Sequence, residues 1–201
     1  MRKIMLAALG SLALAAVIVF GLRWLGGPSE TTVALAEVSI GGPFTLTDQN
    51  GRRVSDQEFR GRLMLVYFGY TFCPDICPLG LTTVADALDA LPPELQDQVV
   101  PVFITVDPER DTAAVLHDYV PQFSPRLVGL TGSEAEIAAT LRAYRVYAAK
   151  SEAPATEGGY LVDHSTFTYL MGRDGKYLTH FGHGTTPEDM AKSIAKLAAE
   201  G

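Results

Sequence analysis

Two continuous apolar runs constrain the fold of this 201-residue chain more than any other feature of its sequence. Residues 62–70 read RLMLVYFGY, and residues 99–108 read VVPVFITVDP. Runs without alternating polar positions are typical of strands buried on both faces, at the centre of a sheet covered by helices. Between the two runs, apolar side chains recur at helical spacing, at Leu81, Val84, Ala85, Leu88 and Leu91. The sequence therefore predicts a strand, a helix and a second strand in succession.

The elements around these strands complete an α/β pattern. Before them, residues 43–61 predict two short strands joined by a turn at 49–51. After them, the pattern predicts a helix over 109–123, a strand over 127–132 and a helix that begins with a capping box of Ser133 and Glu136. A loop over 150–160, a hairpin with its turn at 173–175 and a last helix with Pro187 near its first turn follow. This order predicts an α/β fold with a mixed sheet flanked by helices.

The N-terminus predicts a membrane anchor. Residues 4–22 carry no charge and follow Arg2 and Lys3, and as a helix they would span roughly 28 Å, close to the thickness of a bilayer core. We assign residues 1–25 to an anchor or uncleaved signal, 26–42 to a linker and 43–200 to the folded domain. A cleaved signal peptide and a buried core helix are the alternatives.

The charges around the anchor predict where the domain lies. The N-terminal basic pair favours a cytoplasmic N-terminus, so the domain is expected outside the cytoplasm. Because no Arg-rich, Ser-rich transit segment is present, we expect a single pass through a bacterial inner membrane, with the C-terminal domain in the periplasm. Beyond residue 23 the chain has thirteen basic and twenty-three acidic residues, a formal net charge of −10. This charge argues against nucleic acid as a partner, and suits either a cationic partner or a solvated acidic surface.

The only two cysteines, Cys73 and Cys77, lie where the first buried strand leads into the first helix. In an exported protein the simplest interpretation of such a pair is a structural disulfide. If the loop winds into the helix, their i, i+4 spacing also places both sulfurs on one face, where they can bind one ion or, with some bending, form a disulfide. Because Cys77 lies near the helix start, we expect the helix dipole and free N–H groups to lower its pKa. Pro74 and Pro78 stiffen the loop.

A metal bound by two thiolates needs a third ligand, and four histidines are available. His117 lies within a predicted helix and is interpreted as a surface or packing residue. His180 and His183 follow the last strand and are interpreted as loop or cap residues, with a weak metal-binding pair as the alternative. His164 precedes a β-rich run, in a loop that can lie beside the cysteines. The neighbouring Asp163 is expected to orient the His164 ring.

Three motifs, FGYTFCPDICP, VDPERDT and VDHSTFTYLM, occur in this order behind one membrane anchor. Together they resemble the Sco/SenC family of copper proteins over roughly residues 40 to 200. The resemblance implies a thioredoxin-like fold and one copper ion per chain, as Cu(I) or Cu(II), bound by Cys73, Cys77 and His164. It also implies that Asp75 matches the acidic residue between the family's cysteines. Asp107, Arg110 and Asp111 would support the site without binding metal.

The implied function is that of a metallochaperone for the CuA site of cytochrome c oxidase. Its partner would be the copper-receiving subunit of the oxidase or another copper chaperone. The cysteines must be reduced to bind copper, so a Cys73–Cys77 disulfide would be the form that cannot bind. Soft thiolates and one imidazole suit copper in either oxidation state.

Other functions remain open at this point. A thiol–disulfide oxidoreductase that reduces cysteines of a copper-receiving protein is the main alternative, although the usual redox pair has two intervening residues. A peroxidase on the same fold, a zinc site and an inert disulfide are further alternatives. Tyr70, Phe72, Pro74 and Pro78 could form an apolar docking rim around the site, or the aromatic residues could belong to the core.

Overall fold

The computed structural model describes residues 17–21, 39–151 and 159–200, and the chain divides into two units, Met1–Glu37 and Val38–Gly201. In the first unit, residues 17–21 are helical, and the rest of the predicted anchor lies outside the described residues. Within the described ranges, no helix combines the length and hydropathy needed to cross a membrane. Most of the predicted linker also lies outside them.

Within the described residues, the second unit contains nine strands. They are β1 (Thr45–Asp48), β2 (Arg53–Ser55), β3 (Leu63–Gly69), β4 (Val99–Thr105), β5 (Val128–Thr131), β6 (Ala148–Lys150), β7 (Val162–His164), β8 (Thr168–Met171) and β9 (Tyr177–Phe181). Its α-helices are α1 (Ile76–Asp89), α2 (Pro93–Gln96), α3 (Ala113–Tyr119), α4 (Glu134–Tyr144) and α5 (Pro187–Glu200). Short 3-10 turns follow β2 and α3.

A seven-stranded sheet with the order β2-β1-β5-β4-β3-β8-β9 forms the centre of this unit. Strands β3, β4 and β5 are parallel, and the strands on either side of them pair in the antiparallel sense. Every residue of β3 and β4 is buried, as the two apolar runs predict. The structure therefore confirms an α/β fold with a mixed sheet, in the thioredoxin-like arrangement that the resemblance implies.

Helices cover both faces of the sheet, and the first four side chains of β3 alternate between two core clusters. Leu63 and Leu65 pack in one cluster with Leu88 of α1 and Ile194 of α5. Met64, Val66 and Phe68 pack in the other cluster, which includes residues of α3 and α4, among them Leu116, Ile137 and Tyr144. This two-sided burial is the reason that β3 reads as an unbroken apolar run.

The predicted helix signals are confirmed by hydrogen bonds. The Ser133 hydroxyl accepts from the Glu136 N–H at 3.3 Å, and the Glu136 carboxylate accepts from the Ser133 N–H at 2.8 Å. Pro187 is the first residue of α5. The predicted hairpin is also present, as β8 and β9.

Two short strands are missing from the sequence prediction. Strands β6 and β7 pair antiparallel as a separate two-stranded sheet, with Ala148 opposite His164. Each strand has three residues, which is too short for a periodic pattern to identify. The predicted loop over 150–160 lies largely outside the described residues. His180 lies on β9 itself, and not after the last strand as the sequence indicated.

The sheet register places the site loops side by side. Gly69 at the carboxyl end of β3 pairs with Thr105 at the carboxyl end of β4. The loop carrying the cysteines and the loop carrying VDPERDT therefore leave the sheet next to each other. In open α/β sheets, the carboxyl ends of the strands are where binding sites are built.

Candidate metal centre

The two cysteines lie where β3 leads into α1, in a segment that we call the cysteine loop (residues 70–77). The Cys73 N–H donates to the Tyr70 carbonyl at 3.3 Å, and α1 begins at Ile76. Cys73 therefore precedes the helix, while Cys77 lies in its first turn, as the sequence predicts. Cys77 is fully buried and Cys73 is partly exposed, and both are free thiols.

Three predicted site residues lie together. Sγ of Cys77 lies 3.4 Å from Nε2 of His164, although 87 residues separate them in sequence. Sγ of Cys73 accepts a hydrogen bond of 3.3 Å from the Cys77 N–H. Two ligand atoms bonded to one ion at about 2.0 and 2.3 Å stand about 3.5 Å apart, so the Cys77–His164 pair has a suitable spacing. Within the described ranges, no three His, Cys, Asp or Glu side chains already form a metal-binding group.

The His164 ring is oriented by a backbone carbonyl. Its Nδ1–H donates to the Ser165 carbonyl at 2.9 Å, which leaves Nε2 with a free lone pair on the side of Cys77 in the neutral ring. The expectation that Asp163 orients this ring is wrong. Asp163 is exposed, because it precedes His164 on β7 and adjacent residues of a strand face opposite sides.

The pKa values of the two thiols are shifted in opposite directions. A hydrogen bond from the Cys77 thiol, with smaller contributions from His164 and the N–H groups of Cys77 and Asp75, lowers the pKa of Cys73 to about 4 despite partial burial. The same thiol–thiol hydrogen bond, together with burial, raises the pKa of Cys77. The expectation of a lowered pKa at Cys77 is therefore wrong. The N–H groups at the helix start favour the Cys73 thiolate instead.

Close packing holds Cys77 against β3. A Cβ atom on Gly69 would lie 2.9 Å from Sγ of Cys77 and 3.1 Å from the Phe103 ring, so only glycine fits at this position. The Tyr67 hydroxyl donates to the carbonyl of Ile76, the first residue of α1, at 3.4 Å. The last residues of β3 therefore contact the start of α1, where Cys77 lies.

The VDPERDT motif supports the cysteine loop through Asp111. Its buried carboxylate accepts from the Thr71 N–H at 3.0 Å, the Thr71 hydroxyl at 2.6 Å and the Thr105 hydroxyl at 2.6 Å. Burial raises the pKa of Asp111, and these three donors oppose that shift by stabilising the carboxylate. Asp107 forms an ion pair with Arg110 in the same motif.

Exposed apolar side chains lie close to the candidate ligands in sequence. Phe72 is 49% exposed beside Cys73, Leu79 is exposed two residues after Cys77, and Phe167 is exposed three residues after His164. Tyr70 is only 3% exposed and belongs to the core, so it is not part of a docking rim. Asp75 is exposed at the start of α1.

The other histidines have different surroundings. His117 is exposed on α3, as predicted, and His183 is exposed in the turn after β9. His180 is hydrogen-bonded to Tyr177 and packs edge-on against Phe167. None of the described contacts joins these three residues to the cysteines.

Sequence reasoning did not identify Tyr70 as a residue of the site's framework. Its hydroxyl accepts from the Val162 N–H on β7 at 3.2 Å, and its ring meets the His164 ring edge-on at 5.8 Å. The available signal was a tyrosine at the end of a buried strand, because a buried hydroxyl needs a hydrogen-bond partner.

Comparison with known proteins identifies relatives of this chain. Residues 33–199 match the SCO1/SenC family model. Protein sco1 of Schizosaccharomyces pombe is 41% identical over 166 residues, which are 82% of this chain and 63% of that protein. This chain thus spans less than two thirds of that relative's length.

Solved structures are also similar. Arabidopsis thaliana ScoI with copper bound is 41% identical with a TM-score of 0.77, over 81% of this chain and all of that one. BsSco is described as having a disulfide switch and as a member of the Sco family of cytochrome c oxidase assembly proteins. It is 28% identical with a TM-score of 0.62, over 81% of this chain and 94% of that one. This chain belongs to the SCO1/SenC family.

Proposed function

We propose that this chain is a membrane-anchored copper chaperone that supports assembly of the CuA site of cytochrome c oxidase. It binds one copper ion, as Cu(I) or Cu(II), through Cys73, Cys77 and His164. The observation that carries this proposal is the 3.4 Å separation between Cys77 Sγ and His164 Nε2, with Cys73 Sγ held against the Cys77 amide. The copper-bound relative in the same family supports the choice of metal.

The chemistry of the donor set fits copper. Thiolates favour Cu(I), and two sulfurs with one imidazole nitrogen suit copper in both oxidation states. The hydrogen bond from Nδ1 to the Ser165 carbonyl leaves Nε2 as the ligand atom. Because the pKa of Cys77 is raised, copper must displace a proton from this thiol, and affinity should decrease as the pH falls.

The surroundings of the site fit transfer by direct contact. Exchange of copper between two thiolate sites requires the proteins to dock closely. Phe72, Leu79 and Phe167 are exposed apolar side chains within three residues of the ligands in sequence. We assign the partner as the copper-receiving subunit of cytochrome c oxidase or another copper chaperone.

The anchor is part of this proposal. Residues 4–22 would cross the inner membrane once and hold the domain in the periplasm, close to a membrane-bound partner. An anchor confines the search for this partner to two dimensions. The net charge of −10 beyond residue 23 supports a protein partner and not nucleic acid.

Replacing the imidazole tests the ligand set. In the reduced protein, His164→Ala should weaken Cu(II) binding by at least about tenfold and remove nitrogen hyperfine coupling from the electron paramagnetic resonance spectrum. Cu(I) binding should fall less, because both thiolates remain. The matched control is His183→Ala, which removes an exposed histidine and should leave both affinities unchanged. Unchanged Cu(II) affinity and spectrum in His164→Ala would exclude this histidine as a ligand.

Thiol–disulfide exchange is a second candidate function, favoured by the contrast between a partly exposed Cys73 of low pKa and a buried Cys77. The Cys73 thiolate would attack a partner disulfide, form a mixed disulfide and release one partner thiolate. Cys77 would then lose its proton, attack Cys73 Sγ and release the second partner thiolate. The chain would end with a Cys73–Cys77 disulfide, having given two electrons to the partner.

Insulin reduction separates the two functions. We expect the domain, supplied with a dithiol reductant, to reduce insulin far more slowly than a thioredoxin, because three residues separate its cysteines. Any residual rate should disappear in Cys73→Ser. Turnover comparable to that of a thioredoxin would place disulfide reduction ahead of copper transfer.

The pH dependence of alkylation tests the asymmetry of the thiols. Because the pKa of Cys73 is lowered to about 4, its thiolate is present above this pH and is lost below it. Iodoacetamide should label Cys73 at a rate that is nearly constant from about pH 6 to 9 and falls below about pH 4. The buried Cys77 should stay unlabelled in Cys73→Ser. Peptide mapping by mass spectrometry measures both rates, and a Cys73 rate that rises through about pH 8.5, as for an ordinary thiol, would contradict the assignment.

A further inference from the structure

The candidate site depends on two segments that are far apart in sequence. One is the cysteine loop, and the other is the histidine segment, which we define as residues 159–165. Tyr70 joins them directly, because its hydroxyl accepts the Val162 N–H at 3.2 Å and its ring lies edge-on to His164.

Arg110 lies between the same two segments. Its guanidinium carbon is 3.8 Å from the centre of the Tyr160 ring, 4.7 Å from that of Phe72 and 5.8 Å from that of Tyr70. Phe72 and Tyr70 belong to the cysteine loop, and Tyr160 belongs to the histidine segment. One cation therefore contacts aromatic rings from both segments, within the range in which cation–π attraction is appreciable.

Asp107 fixes the position of this guanidinium. Nε of Arg110 donates to the Asp107 carboxylate at 2.5 Å, and the Arg110 side chain is only 15% exposed. The second oxygen of Asp107 accepts from the Tyr160 hydroxyl at 2.7 Å. Asp107 thus binds the cation and the ring on which the cation stacks, which holds Arg110 and Tyr160 in one arrangement.

We propose that Arg110 is a positioning residue that holds the histidine segment against the cysteine loop, so that His164 stays within bonding distance of a metal on the two thiolates. Asp107, Tyr160, Phe72 and Tyr70 are its partners. This inference rests on the proposed copper function, and it assigns to Arg110 the control of which copper oxidation state the site retains. Cu(I) can be held by two thiolates, whereas Cu(II) depends more strongly on the imidazole.

The geometry requires arginine and not simply a positive charge. A planar guanidinium can stack on a ring while its edge donates to a carboxylate. An ammonium group can form the ion pair with Asp107, but it cannot cover Tyr160 and Phe72 at the same time. Arg110→Lys therefore preserves the charge and removes the bridge between the segments.

The test compares Arg110→Lys with Arg126→Lys, a matched control. Arg126 is also partly buried and ion-paired, with Asp89, but it precedes β5 at the opposite end of the parallel strands from the site. In Arg110→Lys, Cu(II) affinity should fall at least about tenfold and the nitrogen hyperfine coupling should weaken. Cu(I) affinity, measured by competition with a chromophoric chelator, should stay within about threefold of wild type. Arg126→Lys should leave all three values at wild type.

A purely structural role for Arg110 gives a different result. It would lower the midpoint of thermal unfolding while leaving the Cu(II) to Cu(I) affinity ratio at its wild-type value, and this outcome would overturn the proposal. If Arg110→Lys does not fold, Tyr160→Phe serves instead. That variant loses the hydrogen bond to Asp107 but keeps the stacked ring, and a smaller change in the same ratio is expected.

A metal-independent measurement separates this inference from the copper function. In the reduced protein without added metal, nuclear Overhauser contacts between the rings of His164 and Tyr70 should be present in wild type and in Arg126→Lys, and lost in Arg110→Lys. Their persistence in Arg110→Lys would overturn the positioning role even if copper binds. Their loss, in a protein that binds no copper, would leave the positioning role in place and refute only the proposed function.

Discussion

The site depends on the hydrogen bonds that the buried carboxylate of Asp111 accepts. This carboxylate accepts hydrogen bonds from Thr105, the last residue of β4, and from Thr71, the second residue of the cysteine loop. A short loop leaving a sheet has few backbone partners of its own, so its course is set by such side-chain bonds. With Thr71 fixed, Cys73 and Cys77 are placed at the carboxyl ends of the central strands, where β7 can bring His164 to them.

The two thiols differ in pKa and in burial, and this difference determines which reactions the site can support. The hydrogen bond that the Cys77 thiol donates to Cys73, together with burial of Cys77 against Gly69, disfavours an ionised Cys77. The same hydrogen bond, with smaller contributions from His164 and the N–H groups of Cys77 and Asp75, stabilises a thiolate at Cys73. A site with one thiolate prepared and one thiol still protonated can bind a soft cation with the release of a proton. The same difference makes Cys73 a nucleophilic thiolate. Metal binding and disulfide exchange would therefore both use this arrangement of the two thiols.

The sequence predicts those parts of the fold and the site that depend on a pattern within one continuous segment. The two apolar runs identified β3 and β4, the capping box identified the start of α4, and the strand-to-helix position identified the cysteine loop. Two kinds of feature could not be predicted in this way. They are the very short strands and the contacts between segments that are far apart in sequence. Strands β6 and β7 are too brief for a period, and the side of β7 that Asp163 faces depends on pairing. The pKa difference between the cysteines depends on the hydrogen bond between their thiols and on burial of Cys77. The contacts of Tyr70 and Arg110 join segments about fifty to ninety residues apart.

The most direct test of the account is X-ray absorption at the copper edge, on the reduced protein loaded with one equivalent of Cu(I) and then oxidised to Cu(II). We predict two sulfur neighbours in both states, from Cys73 and Cys77, and multiple-scattering features of one imidazole in the Cu(II) state. A first shell of nitrogen and oxygen without sulfur, or a Cu(II) spectrum without imidazole scattering, would contradict the proposed metal centre.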